Sequence, residues 1–422
     1  MLTRRDFLGS LGTGLLASSM ARAEDAPGAP RKKLAVVTTL WNYRSHAWHM
    51  AERFLVGYPL RGAWHRPALE VVSAYVDQTP EGDLSRSRSR EFGFPIYKTI
   101  AEALRCGGDK LAVDAVLIIG EHGNYPVNAI GQKQYPRYQF FRQVVDVFRK
   151  DGRTTPVFSD KHLSWNWEWA REMVETSRSM EFPFLAGSSL PVTWRMPSMD
   201  LPHGAEVAEV LGIAHGPIDI YDFHALEMIQ CMAERRLGGE TGVVAMHALR
   251  GESVWKAMGA GSWQAGGWDP RLFEACLSRS QTLTQPPTFS DRYPTAGQIR
   301  EWVKSPVAYR FEYADGLKAT MLLMNGLVDD FTFAARLKGE PEPLSTLFYL
   351  PPNPNFVYSA ALMSKAEEMF LTGKAPYPVE RTLLTSGLVA AGLRSLAEGR
   401  RLETPHLAVR YQAPRWSTFW QT

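Results

Sequence analysis

Cysteine is scarce in this chain: Cys106, Cys231 and Cys276 are the only three in 422 residues. They stand far apart with no CxxC pair, which excludes a disulfide framework and a thiolate metal site; one bridge is the most they allow. An excess of charge of either sign is missing too. The formal net charge is +3, and removing residues 1–23, which hold Arg4, Arg5, Asp6 and Arg22, leaves +1, so neither nucleic acid nor an acidic membrane surface is expected as a partner. No internal repeat and no low-complexity tract is present. With 45% hydrophobic residues, the composition is that of a globular protein rather than a disordered or membrane one. About 400 residues exceed what one hydrophobic core usually serves and suggest two domains.

What the sequence does have begins at its first residues. Thr3-Arg4-Arg5-Asp6-Phe7-Leu8-Gly9 places an arginine pair before a hydrophobic pair. An apolar, Gly- and Ala-rich stretch over 8–20 follows, too short to span a bilayer, and then Ala21-Arg22-Ala23, a small-x-small cleavage pattern. This resembles a twin-arginine export signal. It predicts that residues 1–23 are a signal peptide and 24–31 a linker, that the twin-arginine translocase is met during export, and that the protein works folded in the periplasm. Such export suits a protein that takes up a cofactor before it leaves.

From residue 32, apolar runs alternate with helical periodicity. Strands are expected at 34–38, 69–76, 113–119, 156–158 and 183–185, and helices at 45–56, 99–104, 138–150 and 165–179. That alternation predicts a Rossmann-like α/β domain over 32–190, a doubly wound parallel sheet whose ligand sits beyond the carboxyl ends of its strands. After about residue 191 the rhythm changes to a helix at 221–236, a strand at 242–249, a Gly/Trp-rich region, a hairpin of 308–313 with 318–323, a strand at 331–337, and helices at 359–371 and 379–398. This second half, 191–422, reads as an α+β domain with a mainly antiparallel sheet, serving substrate binding and oligomerisation.

Several segments together resemble one family. Val113-Asp-Ala-Val-Leu-Ile-Ile119, Val157-Phe-Ser-Asp-Lys161-His-Leu, Phe184-Leu-Ala-Gly187-Ser188, Asp222-Phe-His224-Ala-Leu-Glu227 and the stretch 366–380 are similar to the Gfo/Idh/MocA oxidoreductases, and the likeness covers most of 32–400. The resemblance implies NAD or NADP as cofactor and a carbohydrate-like substrate, a sugar, polyol or similar hydroxylated small molecule. It implies a catalytic lysine at Lys161, in Asp160-Lys161-His162 where the family has Glu-Lys-Pro, and His224 as proton relay with Asp222 or Glu227 as orienting carboxylate. It also implies a homo-oligomer that pairs through the open face of the second sheet.

One lack works against this likeness. The family's first strand runs into a glycine-rich turn whose bare backbone admits a pyrophosphate, whereas this chain reads Thr38-Thr-Leu-Trp41-Asn-Tyr-Arg44-Ser45. The expected cofactor contacts are therefore Thr38, Trp41 and Arg44 in that turn, Asp77 at the end of the second strand for ribose hydroxyls, and Glu121 and His122 after the strand at 113–119. Asp160, His162 and Asn124 are the expected substrate contacts. The alternative keeps the fold without the dinucleotide. It is either a periplasmic glycoside hydrolase or lyase, assisted by a divalent metal on oxygen and nitrogen donors such as Glu121, His122, Asp160, His162 and His224, or a non-catalytic ligand-binding protein. If Trp41 and Tyr43 point away from the first turn and leave a dinucleotide channel, the oxidoreductase reading is the one expected to hold.

Overall fold

The computed structural model describes residues 30–353 and 355–421. The expected signal peptide, 1–23, lies outside the described residues. The first sheet has six parallel strands, β1 Lys32–Thr38, β2 Leu69–Val76, β3 Ile96–Tyr97, β4 Ala115–Ile119, β5 Val157–Asp160 and β6 Phe184–Gly187, with a separate two-stranded ribbon, Tyr58–Leu60 and Ala63–His65, between the first two. Their order across the sheet is β3-β2-β1-β4-β5-β6, so the direction of winding reverses between β1 and β4. The strands are near-continuous Val, Ile, Leu and Ala because both faces are covered. On one face Ala35, Val37, Val116 and Ile118 pack against helices α3 Ile100–Arg105, α4 Arg137–Asp151 and α5 Trp167–Ser179. On the other, Val36, Leu69, Leu117 and Phe158 form one cluster with Phe54 of α1 Glu52–Val56, and Phe92 of α2 Ser85–Phe92 packs against it.

The second sheet has eight strands: β7 Arg195–Met196, β8 Val207–Ala214, β9 Val243–Arg250, β10 Val307–Tyr313, β11 Lys318–Leu323, β12 Phe331–Leu337, β13 Leu344–Phe348 and β14 Leu402–Glu403. Their order is β14-β9-β10-β11-β8-β12-β13-β7, and every pairing is antiparallel except β8 with β11. On one face lie α6 Tyr221–Ala233 and α11 Glu380–Glu398, whose Phe223, Leu226, Met228 and Leu388 pack on Met246, Tyr309, Met321 and Phe333.

Two features depart from the expected division into domains. Helix α10 Tyr358–Thr372, from the second half of the sequence, packs its Leu362, Met363, Met369 and Phe370 beneath the first sheet, and from Lys32 onward the chain forms a single compact unit. The Gly/Trp-rich region, in turn, folds into α7 Glu252–Ala260, α8 Pro270–Leu277 and, further on, α9 Ala296–Trp302. Their Val254, Leu272, Phe273, Leu277 and Ile299, with Trp268, cover Leu211, Ile213, Ala308 and Leu322 on the second sheet's other face. Each large apolar side chain so buried contributes about 1.5–3 kcal/mol. The open face expected to pair with a second copy is thus covered by the chain itself.

Candidate functional site

The carboxyl ends of β1, β5 and β6 converge on one pocket, and β5 supplies two consecutive residues to it. Asp160 ends the strand, and Lys161 turns to φ +62 while its N–H donates to Gly187 O at 3.3 Å. Their side chains reach different partners. Asp160 Oδ2 lies 2.6 Å from His46 Nδ1, in the turn after β1. Lys161 Nζ lies 2.9 Å from His224 Nε2, on the first turn of α6. Gly187 stands at φ +129, and a Cβ there would meet Glu227 Oε2 at 2.8 Å and Thr382 Oγ1 at 2.9 Å. Glycine is therefore required for β6 to end this close to α6 and α11. Of the seven described non-glycine residues with positive φ, Arg44, His122, Lys161 and Asp219 lie in the loops around this pocket. Strain of about 1–3 kcal/mol per residue concentrates at working sites.

The cavity between these groups measures about 110 Å³ and is bordered by His46, His49, Asp160, Lys161, Ser188 and His224 among others. Tyr221, Phe331, Leu350 and Tyr358 also border a larger cleft of about 750 Å³ that extends past Arg44. An ammonium only donates, so His224 Nε2 accepts from Lys161 and Nδ1 carries the ring proton to Ser188 Oγ at 2.6 Å. Burial first, and then the Lys161 charge, hold His224 well below the ordinary imidazole range. His46 is likewise held low by burial and by Lys161, while burial pushes the Asp160 carboxyl up to about 6. Two proton-handling pairs thus face one cavity. Glu121, its carboxyl kept low chiefly by the Lys161 and Arg137 charges that outweigh its burial, pairs with Arg137 and lies 3.9 Å from Lys161.

Of the residues expected at the site, Lys161, His224 and Asp160 border this one cavity. Glu227 stands behind them: it accepts from Thr385 Oγ1 at 2.6 Å and Thr382 Oγ1 at 3.2 Å and receives the Ser188 N–H at 3.4 Å, positioning the serine that orients His224. Other expected contacts are engaged elsewhere. Asp222 faces the core, accepting from Tyr309 Oη at 3.0 Å. His162 is buried against Arg137, whose guanidinium donates to Nε2 at 3.0 Å. Thr38 donates to Leu40 O and Ile119 O. Trp41 is fully buried, stacks on Phe94 at 6.0 Å and donates to Glu52, the carboxylate that also takes Arg88. Asp77 is capped on both oxygens by Tyr75 and Tyr125. Asn124 meets Gln78 through its main chain. Arg44 lies over Tyr43 and Phe356 at the edge of the larger cleft, and the exposed His122 ring stands 5.0 Å from His46. Among the described residues no group of three or more His, Cys, Asp or Glu side chains is arranged to hold a metal ion. The three cysteines are free, with Cys231 and Cys276 buried.

His46, His49 and Ser188 are site residues not expected from the sequence. His46 and His49 are three apart at the start of a helical segment after the first strand, a spacing that puts both on one face. That was the available signal. Ser188 follows the glycine at the end of β6.

Asp219, in the loop before α6, accepts from Lys133 N at 2.6 Å and turns from the cavity. Burial pushes its carboxyl up to about 7. A carboxyl raised on folding holds its proton in the native state where the unfolded chain has released it, so its contribution to stability is lost as pH rises from about 4 to about 7. Asp219→Asn removes this dependence. The variant is expected to gain stability relative to the parent as pH goes from 5 to 8, read as a widening difference in urea midpoint.

No protein-family model and no curated protein matches the sequence. Solved structures do match along its length. GenD2 from gentamicin A biosynthesis, in complex with NAD, is 13% identical with a TM-score of 0.54, over 89% of this chain and 97% of that one. Scyllo-inositol dehydrogenase from Lactobacillus casei is 8% identical at 0.53, over 89% and 99%. Myo-inositol dehydrogenase from the same organism, in complex with NAD(H) and myo-inositol, is 12% identical at 0.51, over 88% and 96%. A parallel sheet followed by a mixed, mostly antiparallel one, matched over nearly the whole of each neighbour, gives this chain the Gfo/Idh/MocA type of fold.

Proposed function

We propose that this chain is an enzyme acting on a small hydroxylated molecule of the sugar or polyol class, and that the proton moved in the reaction passes through Lys161 and His224. The observation that carries this reading is the 2.9 Å contact between Lys161 Nζ and His224 Nε2 at the bottom of a cleft, with the imidazole held by Ser188 and the serine by Glu227. The larger cleft leads to this pair and is bordered by Tyr221, Phe331 and Tyr358, aromatic surfaces of the kind on which sugar rings stack. The structural neighbours support an oxidoreductase on a polyol-like substrate: among them are inositol dehydrogenases, one holding NAD(H) and myo-inositol.

A bound nicotinamide dinucleotide supplies hydride transfer. Whether these residues suit it is decided at the crevice between β1 and β4, where such a ligand lies in this class of sheet. Trp41 and Tyr43 do leave the crevice, one into the core and the other exposed. The turn still offers no bare backbone. Asn42 donates to Glu81 O at 2.9 Å, Leu84 N–H to Trp41 O at 2.7 Å, and Asp77 is capped by two tyrosines. These residues do not form a dinucleotide seat of that kind, and the proton-transfer role stands without one.

Calorimetric titration of the purified protein with myo-inositol, simple sugars and sugar acids tests the reading. Binding of at least one class is expected, weakened ten-fold or more by Tyr221→Ala; no binding of any would overturn it. The reading includes export: with Arg4 and Arg5 both changed to lysine, the protein is expected to stay in the cytoplasmic fraction.

A further inference from the structure

We infer that the pocket catalyses a redox-neutral reaction without a dinucleotide, the removal of a proton beside the carbonyl of a sugar ketone or sugar acid and the expulsion of the hydroxyl on the next carbon as water. The inference rests on the proposed substrate class and names the reaction.

Its first support is the lacing of the crevice at the point where the winding reverses. Beyond the end of β2, Gln78 exchanges two hydrogen bonds with the main chain of Asn124, at 2.9 and 3.2 Å, and Tyr125 Oη donates to Asp77 Oδ2 at 2.6 Å. Thr39 Oγ1 crosses from β1 to Glu121 O at 2.5 Å. The His46–Asp160 pair spans the turn after β1 and the end of β5. Side chains thus join the strand ends across the space a pyrophosphate and its ribose would need.

The second support is the cavity itself. Oxidising an alcohol calls for one proton acceptor and a hydride acceptor; this cavity has two proton-handling pairs. Asp160 Oδ1 is buried without a hydrogen-bond partner, and its carboxyl borders the cavity, so a ligand completes its contacts. A buried acceptor left without a partner is unfavourable, and a donating or proton-yielding substrate group relieves it.

The atoms balance. The C–H bond beside the carbonyl breaks and its proton passes to the Asp160–His46 pair, while the electron pair moves toward the carbonyl oxygen. The C=C bond then forms as the C–O bond at the neighbouring carbon breaks, and the oxygen leaves as water with a proton from Lys161. One water is lost, nothing is oxidised, and exchange with solvent returns one proton to Lys161 and takes one from the other pair.

The test uses the purified full chain in D₂O with no added nucleotide and three probes: fructose, gluconate and glucuronate. Proton NMR and mass spectrometry are expected to show deuterium beside the carbonyl or a product lighter by one water. Lys161→Met is expected to lower that rate about 100-fold or more and Asp160→Asn about ten-fold or more. His224→Gln, also expected to slow it, serves if the lysine variant fails to fold. NAD at 1 mM is expected to leave the unfolding temperature of the parent unchanged. Stabilisation by NAD together with NADH formation from myo-inositol would overturn the inference and leave the proposed substrate class standing. No exchange, no dehydration and no NADH would overturn the inference, and the substrate class falls with it only where calorimetry also shows no binding.

Discussion

Exchanging Lys161 for methionine is expected to raise the pKa of His224 and to cut turnover by about 10²–10⁴-fold, the usual worth of a positioned proton-transfer group. The two effects have one origin. Lys161 stands 2.9 Å from His224 Nε2, and its charge is, after burial, the main influence holding the imidazole low. Methionine keeps the length of the side chain and removes the charge, so His224 moves back toward the ordinary imidazole range while burial still keeps it below. The shift is read by NMR titration of the ring protons and needs no substrate. An unmoved His224 would mean that the lysine does not face the imidazole in solution, and the turnover prediction would go with it. The fold should survive, because Glu121 retains Arg137 as its closer partner.

The largest expected effect on stability lies away from the pocket. Arg381, on α11, donates twice to Glu234 just beyond α6, at 2.9 and 2.6 Å, with both side chains buried. Removing one member of such a pair leaves the other charged in a medium that cannot solvate it, at a cost of about 3–5 kcal/mol. Arg381→Met is therefore expected to lower the urea midpoint strongly. Adding Glu234→Gln should recover part of the loss, because the double variant buries no lone charge. If the double variant were no better than the sum of the single changes, the pair would be uncoupled and α6 and α11 would be held by apolar packing alone.

The first half of the molecule was largely legible because its signals are local. Val, Ile and Leu runs bounded by turns give β2 at 69–76 as read, and β1, β4, β5 and β6 within a few residues. In the second half the hairpin of β10 and β11 and the strand at 331–337 follow from alternation and a turn. The strand β8, in contrast, reads as Val-Ala-Glu-Val-Leu-Gly-Ile-Ala, without the alternation that marks a half-exposed strand, since both of its faces are covered; β13 is short. The place of α10 beneath the first sheet is a long-range fact that no window of sequence contains. The site divides in the same way. Lys161 and His224 follow from the family resemblance of the segments that carry them, and Asp160 stands beside Lys161, while the Asp160–His46 pairing joins residues 114 apart. Asp77 and Trp41 sat where a ligand contact was expected, but tyrosines from other segments and a glutamate on α1 had already claimed them.

The helices α7 to α9 carry a consequence for how this molecule is completed. A sheet whose second layer comes from another molecule depends for its integrity on how much of that molecule is present. Here the layer is encoded in the same chain, between Glu252 and Trp302, with Trp268 at 1% exposure beneath it. The second sheet is finished in cis, so dilution takes nothing from it.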